Sequence, residues 1–247
     1  MINALSHVGR LRLQSHVQKQ PLLAFDFDGT LAPIVPVPAD ARLPRTTHAL
    51  LAALTARWPC VVVSGRARAD VLARLEGLPF AEVVGNHGSE PWIDLAPLRA
   101  FVSHVLPSLT SRLRGLRGVE IEDKGTSISV HYRRVFARHQ AIATTLAVAK
   151  SLRFERVVPG KFVLNLLPPG ALDKGQGLLR CMQHLGRSSA VYIGDDTTDE
   201  RAFSLPHRCG VLGVRVGYQK SSRARLFLRQ QREIEPLLHT LLLLLGR

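Results

Sequence analysis

Cysteine is scarce: the 247-residue chain has three, Cys60, Cys181 and Cys209. An odd number without metal-ligand spacing excludes a disulfide framework and a zinc cluster, and fits a reducing, cytoplasmic compartment. Cys60 opens the apolar run "CVVV" and reads as a small buried hydrophobe. Aromatic residues make up only 6% of the chain, and no basic stripe interleaved with aromatics occurs, so the footprint of a nucleic-acid-binding surface is weak. Long apolar runs are missing too. The longest, "LLLLL" at 241–245, falls far short of the ~20 residues that span a bilayer; it reads as the apolar face of a C-terminal helix starting near Glu235. The first twenty residues, "MINALSHVGRLRLQSHVQKQ", hold no continuous apolar segment, so no secretory signal is expected. Acidic residues are few, 19 against 33 Lys and Arg, giving a net charge of +14. That balance suits nucleic acid or an anionic small substrate. The basic residues are read as spread along the chain, without a basic tail, which favours the small substrate and leaves much of the charge as solvated surface. No nucleic acid, no membrane contact and a monomer are the corresponding expectations.

What is present is an ordinary globular composition, 46% hydrophobic and 21% charged, enough for a core without disulfides. Short apolar runs alternate with helical ones: "LLAF" (22–25), a helix over 46–57, "CVVV" (60–63), a helix over 67–76, "AEVV" (81–84), and later "AVYI" (190–193), a helix near 197–204 and "CGVLGV" (209–214). Apolar strands separated by helices predict a parallel sheet covered on both faces. Each polar motif follows a strand, where open α/β sheets bind ligands. The middle differs. A helix over 97–117, interrupted at Pro107, precedes "VEIEDKGTSISVHY", which reads as a strand, a turn and an alternating strand. Ile128, Val130 and Tyr132 fall on one face of the latter; Ser127, Ser129 and His131 fall on the other. A helix over 134–150 and two strands, "RFERVV" and "KFVLNLL" around a "PG" turn, complete a ββαββ-like unit. The expectation is an α/β core of residues 1–95 and 172–247 with a smaller α+β domain, 96–171, inserted.

Chemistry concentrates at strand ends. In "DFDGT", Asp26 and Asp28 point the same way from an extended segment. Two carboxylates there call for a cation, and Mg²⁺ prefers carboxylates plus substrate oxygens. "GDDTTDE" adds Asp195, Asp196, Asp199 and Glu200 after another apolar strand, although acids also cap helix N-termini. One aspartate can attack an electrophile covalently while its neighbour moves the proton. Lys174, opening a helix in "DKGQGL", and Ser64 with the Gly65 amide after "CVVV" can bind phosphoryl oxygens.

"DFDGTLAP", "SGR", "DKGQGL" and "GDDTTDE" resemble, in order and spacing, the motifs of the haloacid dehalogenase (HAD) superfamily. With "VVGNHGSE", "IEDKGTSISVHYR" and "PGKFVLNLLPPGALDKG" added, about 200 residues resemble the trehalose-6-phosphate phosphatase family. The resemblance implies a HAD-like Rossmannoid core with a mobile cap, Mg²⁺ as cofactor, and hydrolysis of a small sugar phosphate. It makes Asp26 the nucleophile and Asp28 the acid/base. Asp26, the backbone carbonyl of Asp28, and Asp195 would hold the metal, with Asp196 or Asp199 orienting its waters or Lys174. Ser64 and Lys174 would bind the phosphoryl group; Arg66 and His87 would line the entrance, and Lys124 and His131 of the cap would meet the sugar. One phrase departs from the family. Where a glutamate and a base are usual, the chain reads "NLLP", with Asn165 and Leu167. Lys161, Val163 and Asn165 share a strand face, so Asn165 can still meet a hydroxyl, without charge. A different sugar phosphate is therefore the alternative substrate. A basic, non-catalytic nucleic-acid module is the alternative from another class.

Overall fold

The computed structural model describes residues 1–160 and 162–246, and the chain forms two compact units, Met1–Trp92 with Asp173–Arg247, and Ile93–Leu172. Along the first segment of the larger unit run β1 (Ile2–Asn3), α1 (His7–Val17), β2 (Leu22–Phe25), α2 (Arg45–Thr55), β3 (Cys60–Val63), α3 (Arg68–Arg74) and β4 (Glu82–Val84). The smaller unit holds α4 (Ala96–Leu113), β5 (Glu120–Asp123), β6 (Ile128–His131), α5 (Arg138–Ser151), β7 (Arg156–Gly160) and β8 (Val163–Leu167). The second segment of the larger unit adds α6 (Lys174–His184), β9 (Ala190–Gly194), α7 (Glu200–Phe203), β10 (Val211–Val216), β11 (Leu226–Leu228) and α8 (Ile234–Leu245).

The seven strands of the larger unit lie in the order β1-β11-β10-β9-β2-β3-β4, every pairing parallel. Alternation of side chains explains why "LLAF" must be apolar throughout. Leu23 and Phe25 join the layer that includes Leu51, Leu54, Leu237 and Leu241 of α2 and α8. Leu22 and Ala24 face Leu178, Ala202 and Phe203 of α6 and α7. Both faces are dry, so no polar residue is tolerated until the strand ends. Strand order reverses at β2: the chain moves outward to β3 and β4, then returns on the other side of β2 as β9. This switch point opens a crevice at the carboxyl ends of β2 and β9.

The smaller unit is an antiparallel sheet, β5-β6-β8-β7, with α4 and α5. Ile128, Val130, Leu164 and Leu166 pack under Val102, Val105, Leu109 and Leu113 of α4, leaving the Ser129–Asn165 row on the opposite face.

Three details depart from the sequence reading. Pro107 does not interrupt its helix; α4 runs unbroken from Ala96 to Leu113, its Leu98-to-Leu113 stripe buried, so packing outweighs the lost backbone donor. The helix expected from 134 begins at Arg138. The first twenty residues, for which no element is predicted, form edge strand β1 and helix α1. Lys161, expected to share a face with Val163 and Asn165, lies outside the described residues.

Candidate active site

Register places the acids. Phe25 sits opposite Ile193, and the Asp26 N–H donates to the Ile193 carbonyl at 2.8 Å, so the chain leaves β2 and β9 side by side. Gly29, at φ 79°, lies against the Asp195 carboxylate, and a Cβ there would overlap it. The loops carrying the two acidic motifs thus touch. Gly29→Ala is expected to misplace Asp195 and lower divalent-cation affinity about tenfold, a change of about 1.4 kcal/mol read by isothermal titration.

Lys174, at the first turn of α6, is buried with its ammonium 2.8 Å from Asp26 Oδ1 and 2.7 Å from Asp199 Oδ1. The helix is fixed by a capping box between Asp173 and Gln176, and it packs closely because Gly88 and Gly177 carry no side chains. Burial opposes the lysine's charge, but the Asp199 and Asp26 carboxylates more than offset this, so the ammonium stays protonated. Burial pushes the Asp26 carboxyl up, against the pull of Lys174 and with the repulsion of Asp199 and Asp195. Asp199 is fully engaged: Oδ1 also accepts from the Tyr192 hydroxyl at 2.8 Å, and Oδ2 accepts from the Asp196 N–H at 2.9 Å. It positions the lysine. Asp196 holds the turn through its backbone, its carbonyl accepting from Arg215.

Oxygens of Asp26, Asp195 and Asp199 lie within 4.8 Å of one another, and Asp195 Oδ1 is buried without a hydrogen-bond partner. A partnerless carboxylate oxygen beside a second carboxylate is costly unless a cation completes it. An all-oxygen donor set suits a hard divalent ion. With Asp199 engaged by Lys174, Tyr192 and Asp196, Asp26 and Asp195 are the carboxylates of this group that could hold such an ion. Burial, then the Asp199 charge, pushes the Asp195 carboxyl up to about 7.

Asp28 turns elsewhere. Both its oxygens are taken by Arg66, from Nε at 2.6 Å and Nη2 at 2.7 Å. Arg66 also donates from Nη1 to Asp70 at 2.9 Å and from Nη2 to the Pro38 carbonyl at 2.8 Å. The guanidinium expected at the entrance is therefore bound to the second motif aspartate. Ser64 is buried at the end of β3, its Oγ accepting from the Arg66 N–H at 3.2 Å. His87, at φ 57°, is buried with its ring against Gly65, and its N–H donates to the Ser64 carbonyl at 3.0 Å. The loops after β3 and β4 are thereby joined.

The remaining candidates lie in the smaller unit. Glu122 Oε2 lies 2.9 Å from His131 Nε2 and 3.9 Å from Lys124 Nζ. Asn165 is buried: its Oδ1 accepts from Ser129 Oγ at 2.7 Å and its Nδ2 donates to the Val158 carbonyl at 3.3 Å. Sequence reasoning missed Glu122, Tyr192 and Asp70. Glu122 stands in the quoted "EDKG", two residues from Lys124 and thus on the same strand face, which was a usable signal. Tyr192 was hidden inside an apolar run, and Asp70 in a helix that looked merely solvated.

A parallel sheet whose switch point brings Asp26 and Lys174 together with a second acidic turn defines the class of fold: the core of the HAD superfamily. Residues 24–231 match the model of the Trehalose-phosphatase family, and the chain belongs to that family. It is 36% identical over 214 residues to trehalose-phosphate phosphatase of Mycobacterium avium, covering 80% of this chain and 54% of that protein. The Mycobacterium tuberculosis protein is 36% identical over 209 residues, 77% of this chain and 53% of that one. The chain thus spans about half the length of the curated relatives it matches. Among solved structures, the C-terminal domain of Candida albicans trehalose-6-phosphate phosphatase shares the fold, with a TM-score of 0.77 at 24% identity over 100% of this chain and 99% of that one. The Aspergillus fumigatus enzyme gives 0.68 at 26% identity, covering 100% and 99%. Among the described residues, no helix is long and apolar enough to cross a membrane.

Proposed function

We propose that the chain is a Mg²⁺-dependent phosphatase that hydrolyses trehalose 6-phosphate to trehalose and phosphate through an aspartyl-phosphate at Asp26, in a reducing, cytoplasmic setting. One observation carries the reading: in a member of the trehalose-phosphatase family, the buried Asp26 carboxylate is held by Lys174 at 2.8 Å, next to a partnerless Asp195 oxygen. In the first half-reaction an Asp26 oxygen attacks phosphorus, the bond from phosphorus to the sugar oxygen breaks, and Asp28 gives its proton to that leaving oxygen. In the second, Asp28 takes a proton from water as the water oxygen attacks phosphorus; phosphate departs and Asp26 is restored. Asp28 must leave Arg66 before the first step, because the guanidinium occupies both of its oxygens. The Lys174 ammonium and Ser64 Oγ supply donors for the phosphoryl oxygens. Mg²⁺ would be held by Asp26, Asp195 and the Asp28 carbonyl, and would neutralise phosphoryl charge. Asp196 and Asp199 shape the turn that presents Asp195, and Asp199 holds Lys174 from across the site. The 93–172 unit would serve as the cap, with Lys124 and His131 meeting the sugar and His87 serving from the core.

EDTA is expected to abolish phosphate release and Mg²⁺ to restore it; full activity in chelator would remove the metal from the scheme. Because the Asp195 carboxyl is pushed up to about 7, the cation must displace a proton at lower pH. Mg²⁺ affinity should therefore fall as pH drops through about 7, by up to roughly tenfold per unit for one displaced proton.

A second reading, a phosphatase for another sugar phosphate, is favoured by Asn165. The side chain standing where the family has its sugar-binding acid is spent on Ser129 and Val158 within its own sheet. A panel of sugar phosphates ranked by kcat/KM decides. A clear preference for trehalose 6-phosphate supports the first reading, and equal rates or another preferred sugar support the second.

A further inference from the structure

The positive charge is regionalised in a way that its overall count conceals. Residues 1–25 carry Arg10, Arg12 and Lys19 and no Asp or Glu. Residues 201–232 carry eight Lys or Arg and again no acid. The fold joins these stretches: β1 pairs with β11, β11 with β10, and α1 follows β1 along that edge. α1 has two working faces. Gly9, Leu13 and Val17 are buried. Val8, Leu11, Arg12, Ser15 and His16 recur at helical spacing on another face, continue to Lys19, and line a groove of about 430 Å³ walled on the far side by Leu212 and Arg225. Val8 and Leu11 are 51% and 50% exposed. Among the described residues no carboxylate lines the groove, and Arg12, Lys19 and Arg225 have no acidic partner. His16 is an uncharged part of the wall: burial lowers its pKa, and its Nε2 lies 3.0 Å from the Ala190 carbonyl.

We infer that this groove docks an acidic amphipathic helix of a partner polypeptide. Three cations would attract any polyanion. The exposed Val8–Leu11 pair beside Leu212 selects among them, because it is buried only by a ligand with apolar side chains of its own. A free phosphate leaves that pair in water, and nucleic acid finds no aromatic ring in the lining on which to stack a base. The stripe from Val8 to Lys19 runs about three turns, roughly 17 Å, the length over which one helix lays apolar anchors at i, i+3 and i+7 into a groove. None of these residues belongs to the Asp26 centre, so the inference stands apart from the phosphatase reading.

The test uses the full chain and a labelled helical peptide of about sixteen residues with Leu at i, i+3 and i+7 and Glu on the flanking positions. A scrambled peptide of the same composition, and an oligothymidylate of equal charge, are the controls. By fluorescence anisotropy the amphipathic peptide should bind at least about tenfold more tightly than either control. Leu11→Glu and the pair Arg12→Glu with Arg225→Glu should each weaken it by about tenfold or more, with circular dichroism and phosphate release unchanged. Equal binding of the scrambled peptide, undiminished binding by both variants, or tighter binding of the oligonucleotide would overturn the inference.

Discussion

Asp26→Asn should stop turnover, with kcat falling by at least about 10³-fold, equivalent to about 4 kcal/mol of lost barrier reduction. The substitution keeps the shape of a side chain that is only 4% exposed, so the β2 terminus and its N–H bond to Ile193 have no reason to move. What changes is the group proposed as nucleophile. An amide oxygen beside the Lys174 ammonium has neither the charge nor the basicity to attack phosphorus. Removing one of three neighbouring carboxylates also relieves the repulsion among Asp26, Asp195 and Asp199, so the variant should melt no earlier than the parent by more than about 4 °C. Quenching the wild-type chain in acid during turnover should trap phosphate in a hydroxylamine-labile linkage, absent from the variant. A variant that still released phosphate at the parental rate would eliminate covalent catalysis at this position.

Much of this arrangement is legible in the amino-acid sequence. "LLAF", "CVVV" and "AVYI" are apolar at every position, which fits only a sheet covered on both faces, and each run ends on its polar motif. Side-chain alternation then put Asp26 and Asp28 together, but not their fates: Asp26 faces Lys174, whereas Asp28 is drawn to Arg66. Sequence spacing shows reach, and the choice between two cations depends on tertiary packing. Asp199 illustrates the same limit. Three acids in "GDDTTDE" were eligible as ligands, and only the burial of Tyr192 and Lys174 against one of them shows which serves the lysine. Asn165 could be placed on a strand face, yet its use by Ser129 required the register of β6 against β8. Edge elements were the least visible. β1 has two residues, and α1 carries apolar side chains on two faces, which blurs the periodicity that marks a helix buried on one side.

Lys174→Met should damage both stability and chemistry, and the two losses can be separated. Lys174 is 3% exposed and holds two carboxylates that are themselves 5% and 0% exposed. Methionine fills comparable volume but leaves Asp26 and Asp199 facing each other without a cation. Removing one partner from a buried ionic cluster costs about 3–5 kcal/mol, so in chelator at neutral pH the variant should melt roughly 10 °C lower. The pH dependence follows from linkage. Without the ammonium the Asp26 carboxyl, already pushed up by burial, loses the pull that opposes burial and is raised further in the folded chain, while in the unfolded chain it keeps its ordinary value. Between those values the folded state binds more protons, so the deficit should be largest at neutral pH and shrink as pH falls toward about 4. Adding Asp199→Asn removes one of the opposed charges and should return most of the lost stability. Turnover should not return, because the donor proposed for the phosphoryl oxygens is still missing. A single variant that melted with the parent would show that Lys174 is not what neutralises this cluster, and a double variant that regained turnover would show that the lysine acts on Asp199 alone.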